Sequence, residues 1–280
     1  MVRACLFCLL FSNLAFSKII SIKTKGPRLS AKAKAIFKKR ISIFGLNLLA
    51  TQKVENSKFI HAAHILAEYL DNNQDGVVDD PKVLSYMLQE QATLVMFESD
   101  SERDELGDKI DDIKLGNYQD LFDEETRPGE RDQGEFDASL EEILHLITFT
   151  GYYKAYPKIF GPHQSLVTKA MDRARGGHFR EIPRLGYPTK AWYTYNDKTC
   201  DYNCMVTEYF YWALTSYLGA QDFDRRGLNI ENEWKLNTKK KLKEKDNLIY
   251  SVLKNPIYKL PQKIPQGKHK HLKNIKIDFY

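Results

Sequence analysis

Residues 139–153 read SLEEILHLITFTGYY and combine apolar residues with two glutamates and a histidine. The apolar residues recur at helical spacing, which predicts a helix over 138–150. Glu141 and His145 are four residues apart, so their side chains project from the same face of that helix. A carboxylate and an imidazole on one face can hold a common metal ion. The stretch therefore indicates a helix that carries candidate metal ligands.

The same helix has two structural interpretations that stay open. Ser139 and Glu142 form the S-x-x-E pattern of a capping box, which would tie the glutamate to the first turn of the helix. If Asp137 caps the helix instead, Glu142 is free for another role. His145 can equally be a core histidine whose ring nitrogens are satisfied by neighbouring groups.

The stretch EEILH at 141–145 resembles the H-E-x-x-H signature of the zincin metallopeptidases, with a glutamate in place of the first histidine. This resemblance implies that Glu141 and His145 are zinc ligands and that Glu142 is the general base. In the gluzincin-type zincins the third ligand is a glutamate on a later helix, and the resemblance assigns that role to Glu208. A carboxylate in place of an imidazole makes such a site less selective for zinc.

Glu208 lies in CMVTEYFYWALTSYLG at 204–219, a predicted helix that is apolar around most of its circumference and closed by Gly219. It is the one carboxylate of that helix. A buried carboxylate must be paired, protonated or bound to a metal. A buried ion pair or a solvent-facing position explains Glu208 equally well.

The segment DNNQDGVVDD at 71–80 lies between two predicted helices, at 58–70 and 81–88. It resembles the calcium loop of an EF-hand over its first nine positions, with oxygen ligands at positions 1, 3, 5 and 9 and a glycine at position 6. These ligands are Asp71, Asn73, Asp75 and Asp79, and the glycine is Gly76. Lys82 replaces the bidentate glutamate of position 12, so we expect weak calcium binding, with Asp80 or water completing the site. A helix-to-helix turn without an ion is the alternative.

The N-terminus has the form of a secretory signal peptide. Arg3 precedes an apolar run at 4–16, and small Ser17 follows it. We expect residues 1–17 to be removed and the mature protein to be secreted, with a buried N-terminal helix or strand as the alternative. The mature chain would then keep Cys200 and Cys204, which are expected to form a disulfide in an oxidising compartment. No later stretch approaches the roughly 20 apolar residues of a membrane span.

The loop AWYTYNDKTCDYNC at 191–204 leads into the helix of Glu208 and contains four Tyr or Trp residues. A tyrosine hydroxyl can stabilise a developing oxyanion, as such groups do in zincins. We assign this role to Tyr195. Aromatic packing around a corner closed by the disulfide is the alternative.

The formal net charge of +5 hides a strong asymmetry along the chain. Residues 98–142 contain eighteen Asp or Glu and five Lys or Arg, whereas residues 235–280 contain thirteen Lys and three Asp or Glu. A basic tail could bind nucleic acid or another anionic surface. Because this tail is punctuated by prolines, we expect an extended strap laid over an acidic body, and no nucleic-acid partner.

The remaining pattern predicts another helix at 162–175 and one strand, QATLVMF, at 91–97. The expected fold class is mainly α, of the α+β type, with a small sheet. The expected organisation is a signal peptide at 1–17, a helix-rich zincin-like domain at 18–234 that includes the calcium-type loop, and the strap at 235–280.

These features together favour a secreted metal-dependent hydrolase. It would be a monomeric zincin-like metallopeptidase that acts on a protein or peptide substrate, with zinc at the catalytic site and calcium in the acidic loop. The alternative is a non-catalytic secreted calcium-binding protein on a zincin-like scaffold that has lost its metal. A carboxylate-bridged di-iron bundle ranks last, because it needs a second E-x-x-H motif that the chain lacks.

Overall fold

The computed structural model describes residues 20–129 and 136–280. The expected signal peptide at 1–17 lies outside the described residues. The helices are α1 (Ala31–Ile36), α2 (Asn56–Leu70), α3 (Pro81–Gln89), α4 (Asp100–Glu105), α5 (Gly107–Asp111), α6 (Ser139–Ile147), α7 (Tyr153–Ala155), α8 (Pro157–Phe160), α9 (Leu166–Arg175), α10 (Tyr202–Leu218), α11 (Arg226–Asn229), α12 (Lys239–Lys245) and α13 (Asn247–Leu253). The strands are β1 (Lys39–Ile43), β2 (Leu46–Ala50), β3 (Thr93–Phe97), β4 (Tyr118–Phe122) and β5 (Asp278–Phe279).

The strands form one mixed sheet in the order β4-β3-β2-β1-β5. β1 and β2 are an antiparallel hairpin, whereas β2, β3 and β4 run parallel to one another. The hairpin turns through Phe44 and Gly45, which both have positive φ, as a tight two-residue turn requires. The last strand, β5, pairs antiparallel with β1 and thereby fixes the C-terminus to the sheet.

Both faces of the sheet are covered. Leu48 and Leu94 belong to a large core that continues into the helices, while Leu49 and Val95 belong to a smaller core on the other face, with Phe37. Alternate residues of β2 and β3 thus enter different cores, and every residue of these two strands is buried. Such strands are apolar without alternation, as strands covered on both faces are.

The helix of the opening stretch occupies a central position. α6 packs against α2, α10 and the neighbouring strands β3 and β4. After Ile147 the chain continues as a π-helix, Thr148–Tyr152, in which Gly151 lies close to the side chain of Val83 on α3. A π turn widens the helix by one residue per turn, and such turns are frequent next to functional sites.

The main elements expected from the sequence are present, with shifted ends. The helices predicted at 58–70, 81–88, 162–175 and 204–219 are α2, α3, α9 and α10, and the strand predicted at 91–97 is β3. Local capping sets the two later starts, because Ser165 and Asp201 accept hydrogen bonds from the first turns of α9 and α10. The fold is therefore α+β, with many helices and one small mixed sheet.

The C-terminal segment 235–280 begins with α12 and α13, so its first part is helical rather than extended. Beyond Leu253 the chain contains only short 3-10 turns before β5. This later part, 254–277, lies against α2 and the loop 71–80 through hydrogen bonds of its backbone. Within the described ranges, no helix is long and apolar enough to cross a membrane.

Candidate functional site

Two packed helices bring together three of the residues expected as ligands. Glu141 and His145 lie one turn apart on α6, and Glu208 lies on α10, which contacts α6. One ligand atom from each of the three lies within 4.8 Å of the others. Among the described residues, no other group of three His, Cys, Asp or Glu side chains meets in this way. We call these three residues the triad.

His145 is the buried centre of the triad. Its Nδ1 lies 3.5 Å from Oε2 of Glu142, and its Nε2 lies 3.5 Å from Oε2 of Glu208. The edge-on ring of Tyr211 packs beside the imidazole, with the ring centroids 5.6 Å apart. Nε2 has no hydrogen-bond partner in the part of the chain that the structure describes. A buried ring nitrogen without a partner is costly unless a further group satisfies it.

Burial and mutual interaction perturb the pKa of every member of the triad. Burial, followed by the nearby carboxylate of Glu208, raises the pKa of Glu141 to about 8. Burial likewise raises the pKa of Glu208, and His145 only partly offsets the effect. Burial alone would lower the pKa of His145, but the carboxylates of Glu208 and Glu142 raise it to about 10. One imidazolium thus faces three carboxyl groups, of which Glu141 is mostly protonated at neutral pH, and a divalent cation would favour its ionised form.

Further acidic groups surround the triad. Burial raises the pKa of Glu125 to about 7, and the carboxylate of Glu142 contributes to that rise. The pKa of Asp120 is also raised, by burial first and less by Glu142. On the side of Glu208, burial and that carboxylate raise the pKa of Glu233. The acidic groups around the triad therefore favour a cation there.

The carboxylate of Glu142 faces the site instead of the first turn of its helix. Its Oε2 accepts a hydrogen bond of 2.6 Å from Nε2 of Gln119 on β4. The capping box is not formed, since Ser139 Oγ has no hydrogen-bond partner among the described residues. Asp137 Oδ1 instead accepts a hydrogen bond from the backbone N–H of Ser139. Of the two alternatives, the structure has the one in which Asp137 leaves Glu142 free.

Tyr195 lies beside the triad on the loop that leads into α10. A hydrogen bond with its side chain lowers the pKa of Glu208, against the larger opposing effect of burial. Burial and the carboxylate of Glu208 in turn raise the pKa of Tyr195, so its hydroxyl keeps its proton at neutral pH. The expected disulfide Cys200–Cys204 is present and closes this loop at the start of α10.

Tyr211 is a site residue that the sequence did not reveal. Its buried hydroxyl accepts a hydrogen bond of 3.1 Å from Nε2 of Gln221, which leaves its own proton for Glu141. Gln221 Oε1 accepts a hydrogen bond of 2.8 Å from Nε of Arg226. Tyr211 is one of several aromatic residues on α10, and nothing in the local sequence distinguishes it from the others. The one available signal was that Tyr211 follows Glu208 by three residues, a spacing that puts both side chains on the same face of α10.

The loop 71–80 is organised around the carboxylate of Asp71. Asp71 Oδ1 accepts a hydrogen bond from the backbone N–H of Asp75, and Oδ2 accepts one of 2.7 Å from that of Gly76, whose φ is +92°. Asn73 Oδ1 and Asp75 Oδ1 each accept a hydrogen bond from the backbone N–H two residues later. Asp79 Oδ2 accepts one from the N–H of Asn72. The loop therefore holds its shape through its own side chains, as Asx turns do.

The position opposite Asp71 is taken by the C-terminal segment. His269 Nε2 lies 3.0 Å from Asp71 Oδ2, and both side chains are buried. His269 Nδ1 accepts a hydrogen bond from the backbone N–H of His271, so Nε2 carries the proton. Lys82 lies over the ring of Tyr156, 4.6 Å from its centroid. Asp80 caps α3 and accepts a hydrogen bond from Tyr156, so it does not fill the twelfth ligand position.

Comparison of the chain with protein-family models, with curated proteins and with solved structures found no match. The resemblance to zincins thus rests on residues 141–145 and Glu208 alone.

Proposed function

We propose that this protein is a secreted metal-dependent hydrolase of the zincin-like type, with a divalent metal ion held by Glu141, His145 and Glu208. The observation that carries the proposal is the buried Nε2 of His145. It lacks a hydrogen-bond partner among the described residues and faces a carboxylate 3.5 Å away. The raised pKa of Glu141, to about 8, supports the same conclusion, because a cation would stabilise the carboxylate.

The donor set fits a divalent transition metal. One imidazole nitrogen and two carboxylate oxygens are common ligands of zinc, and three protein ligands leave room for water or substrate. The carboxylate at position 141 makes the set less selective for zinc than two imidazoles would be. A metal held there would act as a Lewis acid toward a carbonyl oxygen and toward water.

The remaining site residues supply proton transfer and orientation. Glu142 accepts a proton from water, and its bond of 2.6 Å from Gln119 fixes the direction in which its carboxylate points. Tyr195 keeps its proton and can donate a hydrogen bond to an oxyanion that forms on the substrate. The substrate class of the proposal is a protein or peptide.

Metal analysis of the purified mature protein, paired with one variant, tests the proposal. The parent should hold a divalent transition metal near one per chain, and His145→Ala should lose it. His163→Ala, which removes an exposed histidine elsewhere, is the matched control and should keep the metal. If His145→Ala holds as much metal as the parent, the proposed centre is wrong whatever peptide hydrolysis is measured.

The second candidate function is that of a non-catalytic calcium-binding protein. The observation that favours it is the loop 71–80, in which Gly76 and the side chains of Asp71, Asn73 and Asp75 build the turn of a calcium loop. A mature protein that contains calcium but no transition metal, and that hydrolyses no peptide, would support this candidate instead.

A further inference from the structure

A basic recess lies at the junction of the first described residues and the C-terminal segment. The recess has a volume of about 550 Å³, and none of its lining residues belongs to the triad. Five of its lining residues are lysines, and one, Asp278, is acidic; the lysines are Lys23, Lys25, Lys270, Lys273 and Lys276. The two groups of lysines are separated by more than 240 residues, so the fold itself brings them together.

The walls of the recess are fixed by backbone contacts. On one side, the backbone N–H groups of Phe44 and Gly45 donate to the carbonyl oxygens of Ile22 and Thr24. On the other side, buried Leu272 ends a 3-10 turn, Lys270–Leu272, that His269 caps. The lysines therefore extend from fixed backbone, so that ligand binding orders their side chains but need not order the backbone.

The ammonium groups of these five lysines are exposed and form no ion pair with any described residue. In the later part, 254–277, no lysine side chain forms an ion pair with a described residue. This part contacts the body through backbone N–H groups, for example where those of Gln266 and Lys268 donate to the carboxylate of Glu68. The lysine ammonium groups of this segment therefore face solvent. They repel one another at distances within the Debye length of about 8 Å.

We propose that this recess binds a sulfated polysaccharide. A linear chain with closely spaced sulfate groups fits a recess lined by lysines on two walls, and the concave shape does not match the flat surface of a membrane. No Phe, Tyr or Trp lines the recess, so it lacks the large aromatic rings on which nucleic-acid bases stack best. The disulfide Cys200–Cys204 points to an oxidising compartment, where extracellular polysaccharides are met.

The test measures binding of a heparin-derived decasaccharide to the full mature chain by calorimetry. The affinity should fall steeply between about 50 and 200 mM salt, since binding releases counterions. The triple variant Lys270→Gln, Lys273→Gln, Lys276→Gln should bind about tenfold or more weakly. The double variant Lys23→Gln, Lys25→Gln, which leaves the C-terminal segment unchanged, should also bind more weakly and shows whether both walls take part.

The matched control removes three exposed lysines of the same segment that do not line the recess, as Lys240→Gln, Lys243→Gln, Lys254→Gln. It changes the net charge equally and should bind like the parent. Equal losses in the control and in the recess variants would overturn the proposal, because they would show a response to net charge alone. Absence of binding by the parent, or equally tight binding of single-stranded DNA or of phosphatidylserine vesicles, would also overturn it.

Discussion

Glu141 stands where the zincin signature has its first histidine, and this one residue changes the charge of the site. With Glu208 it supplies two carboxylates, so a bound divalent ion would be neutralised by its ligands, whereas two imidazoles leave it a net positive charge. Lower positive charge weakens a Lewis acid. The general base, Glu142, therefore has a larger share of the proposed chemistry.

Replacement of Glu142 by glutamine tests this base. The amide still accepts a hydrogen bond from Gln119, but it cannot take a proton from water. Glu142→Gln should keep the metal content and the melting temperature of the parent and lower peptide hydrolysis by about 10²- to 10⁴-fold. Full activity in this variant would assign the proton transfer to another residue. Ser139→Ala, which removes a hydroxyl without a hydrogen-bond partner among the described residues, serves as a control on the same helix.

Asp137 caps α6 in place of Ser139. From the environment of its carboxylate we expect the free energy of unfolding to fall at acidic pH. Burial would raise its pKa, but the hydrogen bond and the charge of His61 and the backbone N–H of Arg127 lower it below the ordinary value of 3.8. A carboxyl group with a lowered pKa in the folded state stabilises the fold above its ordinary pKa. That stabilisation is lost as the pH falls through the lowered pKa.

Asp137→Asn should therefore unfold more easily at neutral pH, by about 1–3 kcal/mol, and lose less stability than the parent below about pH 4. Urea unfolding at a series of pH values measures both effects. Asp112→Asn is the control, because the carboxylate of Asp112 is 70% exposed. Parallel pH curves for the parent and Asp137→Asn would contradict the assignment.

The structure brings together the three residues that the sequence singled out, and it adds supporting groups that the sequence did not indicate. The spacing of Glu141 and His145 fixed their common face, and the single carboxylate of α10 pointed inward at a packed helix. Gln119 and Tyr211 gave no comparable signal. Their roles depend on where β4 and α10 meet α6, and the local sequence does not encode that packing.

At the scale of elements, burial pattern decided what could be predicted. The longer helices with an apolar face or circumference were found, with ends shifted by a few residues, whereas short capped helices such as α1, α4 and α12 were not. The hairpin β1–β2 was missed because its two alternating runs, ISI at 41–43 and LNL at 46–48, are only three residues long. β4 was missed because YQDLF lies in the strongly acidic stretch 98–142, whose charge does not indicate a strand.

The loop 71–80 gives the prediction for this scale. Millimolar calcium should raise the melting temperature if the affinity lies in the extracellular range of about 10⁻⁴ to 10⁻³ M. The response should be small, because calcium must compete with the hydrogen bond from His269 to Asp71. Asp75→Ala should abolish the response, and Asp224→Ala, an exposed aspartate in another loop, should keep it. Identical melting curves in calcium and in chelator would show that the loop is a helix-to-helix turn that binds no calcium.

At the scale of the whole molecule, the C-terminal segment connects distant parts of the fold. It starts beside α10, passes over α2 and the loop 71–80, and ends as β5 on the edge of the sheet. The charge asymmetry of the sequence indicated an extended strap laid over an acidic body, an arrangement that ion pairs could hold. The structure has hydrogen bonds in 254–277, in which the buried carboxylate of Glu68 accepts from the backbone of Gln266 and of Lys268.

These two kinds of attachment respond differently to salt, and this gives the last prediction. Ion pairs at the surface are largely screened at about 1 M salt, where the Debye length is about 3 Å, whereas buried hydrogen bonds are not. Limited trypsin cleavage after the lysines of 254–277 should therefore proceed at the same rate in low and high salt, once the salt dependence of the protease itself is subtracted with a peptide substrate.

Glu68→Gln retains one acceptor oxygen for two N–H donors, so it should speed cleavage at every salt concentration and lower the free energy of unfolding by about 1–3 kcal/mol. Glu244→Gln, an exposed glutamate of α12, is the matched control. Cleavage that accelerates in salt in the parent, with no effect of Glu68→Gln, would instead show that the lysines hold the segment.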